Sequence, residues 1–142
     1  MPLAPEIDLA GELRLGSMRL ARRLRVERGS TDLTLSQLAA LGSLELHGEL
    51  TVGELAHIER VKPPSMTRIT NSLADAGLLV RRPHDVDGRQ VVVDLTDAAR
   101  ELLIDNRRRR TAWLAIRLAE LTPDEREVLR DAAPLLNRLA LS

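Results

Sequence analysis

Six basic side chains, Arg60, Lys62, Arg68, Arg81, Arg82 and Arg89, lie between residues 60 and 90 against three acids, Asp75, Asp85 and Asp87. Guanidinium groups form bidentate, charge-assisted hydrogen bonds with phosphates and with base edges, so such a cluster suits a polyanion. Ser65, Thr67 and Asn71 stand among them and carry the neutral donors and acceptors that read a groove edge. The whole chain has 21 basic and 21 acidic residues and no net charge, so the excess is local. Residues 120–131 reverse it, with Glu120, Asp124, Glu125, Glu127 and Asp131 against Arg126 and Arg130. A basic centre with an acidic end suits a molecule that presents one face to phosphate.

Other chemistries find little support. The 142 residues include no cysteine, which removes disulfides, thiolate ligands, thiol nucleophiles and thiol oxidation together. Trp113 is the only aromatic residue, whereas single-strand binders stack bases on several aromatic platforms. No Ser-centred glycine motif and no metal-spaced histidine cluster is present, so neither an enzyme nor a cofactor is expected. His84 with Asp85 and Asp87 is one imidazole and two carboxylates on a polar turn, read as a solvated tip and not as a metal site. His47 and His57 have no sequence-near partners that argue for catalysis. The run Arg107-Arg108-Arg109-Arg110 spreads around most of a helical turn, and it is read as solvated or paired with the acidic last helix.

The elements that must hold the basic cluster can be placed from local signals. Thr34…Gln37, Thr51…Glu54 and Thr122…Glu125 are capping boxes, each marking a helix start, the last with Pro123 at the first helical position. Pro63-Pro64 before Ser65 and Thr96-Asp97 suggest two further starts. Apolar spacing predicts helices over about 8–28, 35–46, 52–60, 65–76, 97–119 and 123–139. Along the first, Leu9, Leu13, Leu20 and Leu24 form one stripe, with Arg14, Arg22, Arg25 and Arg28 largely off it. Gly77 follows the fourth helix, where a left-handed residue is favoured. Residues 78–82 and 91–95 are β-rich runs joined by a polar segment with Asp87-Gly88, which predicts a hairpin with an extended tip. The fold class is therefore mainly α with a small β-hairpin wing. Two short helices and a basic hairpin make a winged helix-turn-helix, whose second helix fits a major groove roughly 12 Å wide.

The hairpin segment Asp87-Gly88-Arg89-Gln90-Val91-Val92-Val93-Asp94-Leu95-Thr96 resembles the D-x-R-x-x-x-V-x-L-T signature of the MarR transcriptional regulators. Leu50–Ala56 is similar to that family's first motif helix, and Pro64–Leu73 followed by Ala76-Gly77-Leu78-Leu79 and Arg81 to its recognition helix and wing entry. Gly88 departs from the pattern, which often has Arg there. The resemblance implies that Arg89 enters a minor groove, with Asp87 holding it or shaping the turn. It implies that Ser65, Thr67, Arg68 and Asn71 face the major groove or its phosphates, that Met66 touches a thymine methyl, and that Arg81 and Arg82 flank the wing near phosphate. Ile69 and Leu73, alternating with these, are expected in the core.

The terminal helices are more apolar than a small winged domain needs. Leu9, Leu13, Leu20 and Leu24 at one end, and Val128, Ala132, Leu135, Leu136 and Leu139 at the other, must bury somewhere. The resemblance implies dimerisation helices over residues 1–32 and 97–142 around a DNA-binding domain over 33–96, in one compact chain. It implies a homodimer on double-stranded DNA, a palindromic operator with half-sites about one helical turn apart, and commonly repression. A small aromatic or anionic effector is a further implied partner, with Arg22, Arg23 and Arg25 as nearest cations; Trp113 is read as core or dimer packing in preference to a ligand platform. The alternative is a winged-helix module that binds protein, which predicts a wing with blunted charge. The N-terminus lacks a secretory pattern and no stretch approaches the roughly 20 apolar residues of a membrane span, so a cytoplasmic location is expected.

Overall fold

The computed structural model describes residues 4–27 and 32–142. Arg28, expected at the end of the first helix, lies outside them. The elements are α1 (Ala4–Val26), α2 (Leu35–His47), β1 (Leu50–Thr51), α3 (Val52–Glu59), α4 (Pro63–Asp75), β2 (Leu79–Pro83), β3 (Val91–Leu95), α5 (Asp97–Ala119) and α6 (Pro123–Ala140). The chain divides into two compact units, one of Ser30–Arg107 and one of Met1–Gly29 with Arg108–Ser142, and α5 runs through both.

All three predicted capping boxes form, at Thr34, Thr51 and Thr122. At Thr51, Oγ1 accepts the Glu54 N–H at 3.0 Å while Glu54 Oε1 accepts the Thr51 N–H at 3.1 Å. Two backbone donors that a helix start leaves unpaired are thereby satisfied. Helix α4 begins at Pro63, earlier than the expected residue 65, because a proline at the first turn lacks only an N–H that has no helical partner.

The unit Ser30–Arg107 owns the hydrophobic core. Leu41 and Leu44 of α2, Leu55 of α3, Met66 and Leu73 of α4, Val93 of β3 and Ala99 of α5 are essentially inaccessible to solvent. Leu78, Leu79, Leu95 and Leu103 close the same cluster. The sheet is antiparallel in the order β1-β3-β2. Apolar alternation predicted only the β2–β3 hairpin. The third strand, β1, pairs Leu50 with Val93 and Thr51 with Val92, and two residues are too few to show a period.

In the other unit, no described residue is a buried hydrophobic. Ile7, Leu9 and Met18 of α1 and Val128, Leu135 and Leu139 of α6 are all well exposed. Local ties are polar: Arg126 donates to the Leu121 carbonyl at 2.5 Å and to the carbonyl of Leu118, in the last turn of α5, at 3.4 Å. The guanidinium groups of Arg23 and Arg117 lie 5.2 and 5.4 Å from the centre of the Trp113 ring, within cation–π range. No helix among the described residues is long and apolar enough to cross a membrane.

Candidate nucleic-acid interface

Helix α3 and helix α4 are joined by a turn made at Arg60, which adopts the left-handed conformation (φ 56°, ψ 43°). The Val61 N–H reaches back to the Ala56 carbonyl at 2.9 Å and closes the end of α3. Helix α4 ends in the same manner, with Gly77 at φ 77° and the Leu78 N–H on the Leu73 carbonyl at 2.9 Å. Only glycine takes that backbone without strain, and β2 can then turn back beside the helix.

An open groove of about 720 Å3 lies between α4 and the wing, lined by Thr51, His57, Pro63, Thr67, Asn71, Arg81, Arg89 and Gln90 among others. Thr67 and Arg68 are exposed and Ser65 and Asn71 half-buried. Thr67 Oγ1 donates to the Pro63 carbonyl at 3.0 Å, and Arg68 reaches Ser65 Oγ at 3.4 Å. Met66 does not belong to this face. It is 0% exposed, because residues 66, 69–70 and 73 recur at helical spacing on the side turned to the core. The expected thymine contact is therefore corrected, whereas Ile69 and Leu73 pack with the core as expected.

The wing tip is organised by its own polar groups. His84 Nδ1 accepts the N–H groups of Val86 at 3.2 Å and Asp87 at 3.1 Å. The His84 N–H donates to the Gln90 carbonyl at 2.9 Å and closes the loop. Asp87 Oδ1 accepts from the backbone N–H and the Nε of Arg89, both at 3.1 Å. The Arg89 side chain stays 92% exposed. First the Arg89 side chain and then its backbone N–H hold the Asp87 carboxyl below its ordinary value. Thr96 fixes the wing base: its hydroxyl donates to the Gly77 carbonyl at 2.8 Å and accepts the Ala99 N–H at 3.2 Å.

The flanking arginines divide. Arg81 donates through Nη1 to Asn71 Oδ1 and so bridges the wing to α4. Arg82 is held by Glu49 at 2.7 Å and Asp85 at 3.2 Å. The hydrogen bond to Glu49 is the main reason its pKa is raised. Its charge is largely answered within the protein, a partnership across 33 positions that no local signal announces. His57 and Gln90 also line the groove, two positions where no local sequence signal announces it. Arg107 stays largely exposed, within the expected choice of solvent or the acidic last helix, but its ion-pair partner is Glu45 of α2 at 2.7 Å. Among the described residues no group of three or more His, Asp or Glu side chains is arranged for a metal ion.

A helix-turn-helix with a paired hairpin wing and an open groove between them defines a winged-helix DNA-binding regulator. A model of the MarR family matches residues 33–91. The chain is 51% identical over 134 residues to an uncharacterized HTH-type transcriptional regulator of Mycobacterium bovis, covering 94% of each chain. It is 32% identical over 108 residues to the transcriptional repressor MdtR of Bacillus subtilis, covering 76% of this chain and 68% of that one. A crystallised transcriptional regulator protein of Pseudomonas aeruginosa superposes with a TM-score of 0.85 at 36% identity, over 96% of this chain and 97% of that one. The chain belongs to the MarR family and is a DNA-binding transcriptional regulator, not an enzyme.

Proposed function

We propose that this regulator is a cytoplasmic homodimeric repressor that binds a palindromic operator and is released by a small aromatic or anionic effector. The observation that carries the DNA geometry is the Arg89 side chain, 92% exposed at the wing tip, beside a groove shared with Thr67, Asn71 and Arg81. In this reading α4 lies in the major groove with Ser65, Thr67, Arg68 and Asn71 toward bases or phosphates, and Arg89, steadied by Asp87, enters the adjacent minor groove. Arg81 lies near the backbone, while Arg82, already paired with Glu49 and Asp85, contributes shape to the wing more than charge to the DNA. Residues 33–96 form the DNA-binding part, and the flanking segments 1–32 and 97–142 carry dimerisation.

The dimer rests on the exposed apolar side chains of α1 and α6, for which the described residues of their own unit supply no core. Repression is the habit named for the Bacillus subtilis relative MdtR. The effector rests on Trp113, whose Nε1 is buried with no acceptor among the described residues, between cations that suit an aromatic acid. Arg22 and Arg25 of α1 lie on the same helix as Arg23. Such a ligand acts only through different affinities for the DNA-competent and released forms.

The deciding experiment is recovery of sheared genomic DNA by the full chain, followed by sequencing and a salt titration on the best fragment. A palindromic site, steep loss of affinity with salt, and weakening by Arg89→Ala and Arg68→Ala support the reading. Salt-insensitive binding, or binding unchanged in both variants, removes it.

A further inference from the structure

Asn71 and Arg81 come from different elements and meet over the groove. Asn71 is on α4, anchored by the buried Met66, Thr70 and Leu73. Arg81 is on β2, where it pairs with the fully buried Val93 of β3. Both positions are therefore set by packed backbone, and the Arg81 Nη1 donates to the Asn71 Oδ1. A guanidinium has five donors and no acceptor, so only the oxygen of a carboxamide can face it. The two ends of an Asn amide are often hard to tell apart, but here chemistry decides. The Asn71 Nδ2 must point away from Arg81, and no acceptor for it is found among the described residues.

We infer that Arg81 is a positioning residue that makes Asn71 a one-way reader, offering the major groove a donor and withholding its acceptor. The inference rests on the proposed insertion of α4 into that groove. An unconstrained Asn pairs with adenine by donating to N7 and accepting from N6. Here any base N–H that approaches Oδ1 points its positive end toward a full guanidinium charge. The base selected carries adjacent acceptors, which is guanine with N7 and O6, and bases that lead with a donor, cytosine at N4 and adenine at N6, are disfavoured. Arg81 touches no base in this scheme, yet it sets the preference at one symmetric pair of operator positions.

The test is selection from a randomised duplex library with the full chain and its variants, followed by affinities for the selected site with each base substituted. Wild type should prefer guanine at the Asn71-dependent position by about fivefold or more. Asn71→Ala identifies that position by erasing its preference while leaving the others. Arg81→Met, which frees the amide to rotate, should cut the preference there to less than about twofold. Asn71→Asp keeps the Arg81 partner but presents oxygen to the groove, and it should shift the preference toward cytosine. Full guanine preference in Arg81→Met or in Asn71→Asp overturns the inference, as does a wild-type preference for cytosine or adenine at that position. A wild type that selects no motif at all overturns the groove reading and the inference with it, a distinct outcome from a motif that ignores Arg81.

Discussion

Asp87 and Arg89 are joined by three hydrogen bonds: one carboxylate oxygen accepts from both the backbone N–H and the Nε of Arg89 at 3.1 Å, and the other accepts from its Nη2 at 3.5 Å. These contacts leave Nη1 of Arg89 free of Asp87, and the side chain stays exposed on the loop between β2 and β3. Asp87→Ala should therefore weaken DNA binding while adding no repulsion, by about two- to fivefold for an exposed pair. Fluorescence anisotropy on the selected operator measures it. Tighter binding in the variant would show that Asp87 acts as a like charge to phosphate and not as a brace for Arg89.

The capping box at Thr51 gives a pH dependence with a definite sign. The Glu54 carboxyl is held below its ordinary value of 4.5, first by the Thr51 backbone N–H and then by the Thr51 hydroxyl. A depressed folded value means that this contribution is fully present above 4.5 and is lost as pH falls through the folded value. Glu54→Gln keeps an acceptor for the Thr51 N–H but does not titrate. Its melting temperature should drop less than that of wild type between about pH 5 and about pH 3. Parallel curves would place the acid sensitivity elsewhere.

Met66 separates packing from recognition. Met66→Ala should cost about 2–5 kcal/mol of stability, and Met66→Leu less than about 1.5 kcal/mol. Neither should change base preference, read by chemical denaturation and by selection on the folded Leu variant. A changed preference in Met66→Leu would return this side chain to the groove.

A chain ending at Leu121 lacks α6 and with it Val128, Leu135 and Leu139, which are 66%, 49% and 66% exposed. Light scattering should find it monomeric or insoluble. A soluble dimer that still binds the operator would show that α6 is not needed for association.

What was legible in the sequence was what is local in the chain. The boxes at Thr34, Thr51 and Thr122 each join residues three positions apart, and all three form. The Asp87–Arg89 pair spans two and carries the wing signature. Met66 shares the core stripe of α4 with Ile69, Thr70 and Leu73, and that helical spacing, more than its place beside Ser65 and Thr67, decides which way it faces. The ties Arg82–Glu49, Arg107–Glu45 and Gln37–Ser72 join residues 33, 62 and 35 positions apart. Charge or hydrogen-bonding capacity alone offers each of these side chains many partners, and only the packed backbone selects one.

The sheet is closed to growth at both margins. On one side β1 is two residues long, and on the other β2 carries Arg81 and Arg82 and ends in Pro83, which has no N–H to give. Edge strands that are short, charged or ended by proline resist pairing with a strand from another molecule. The wings of neighbouring molecules can then lie side by side without joining into one sheet.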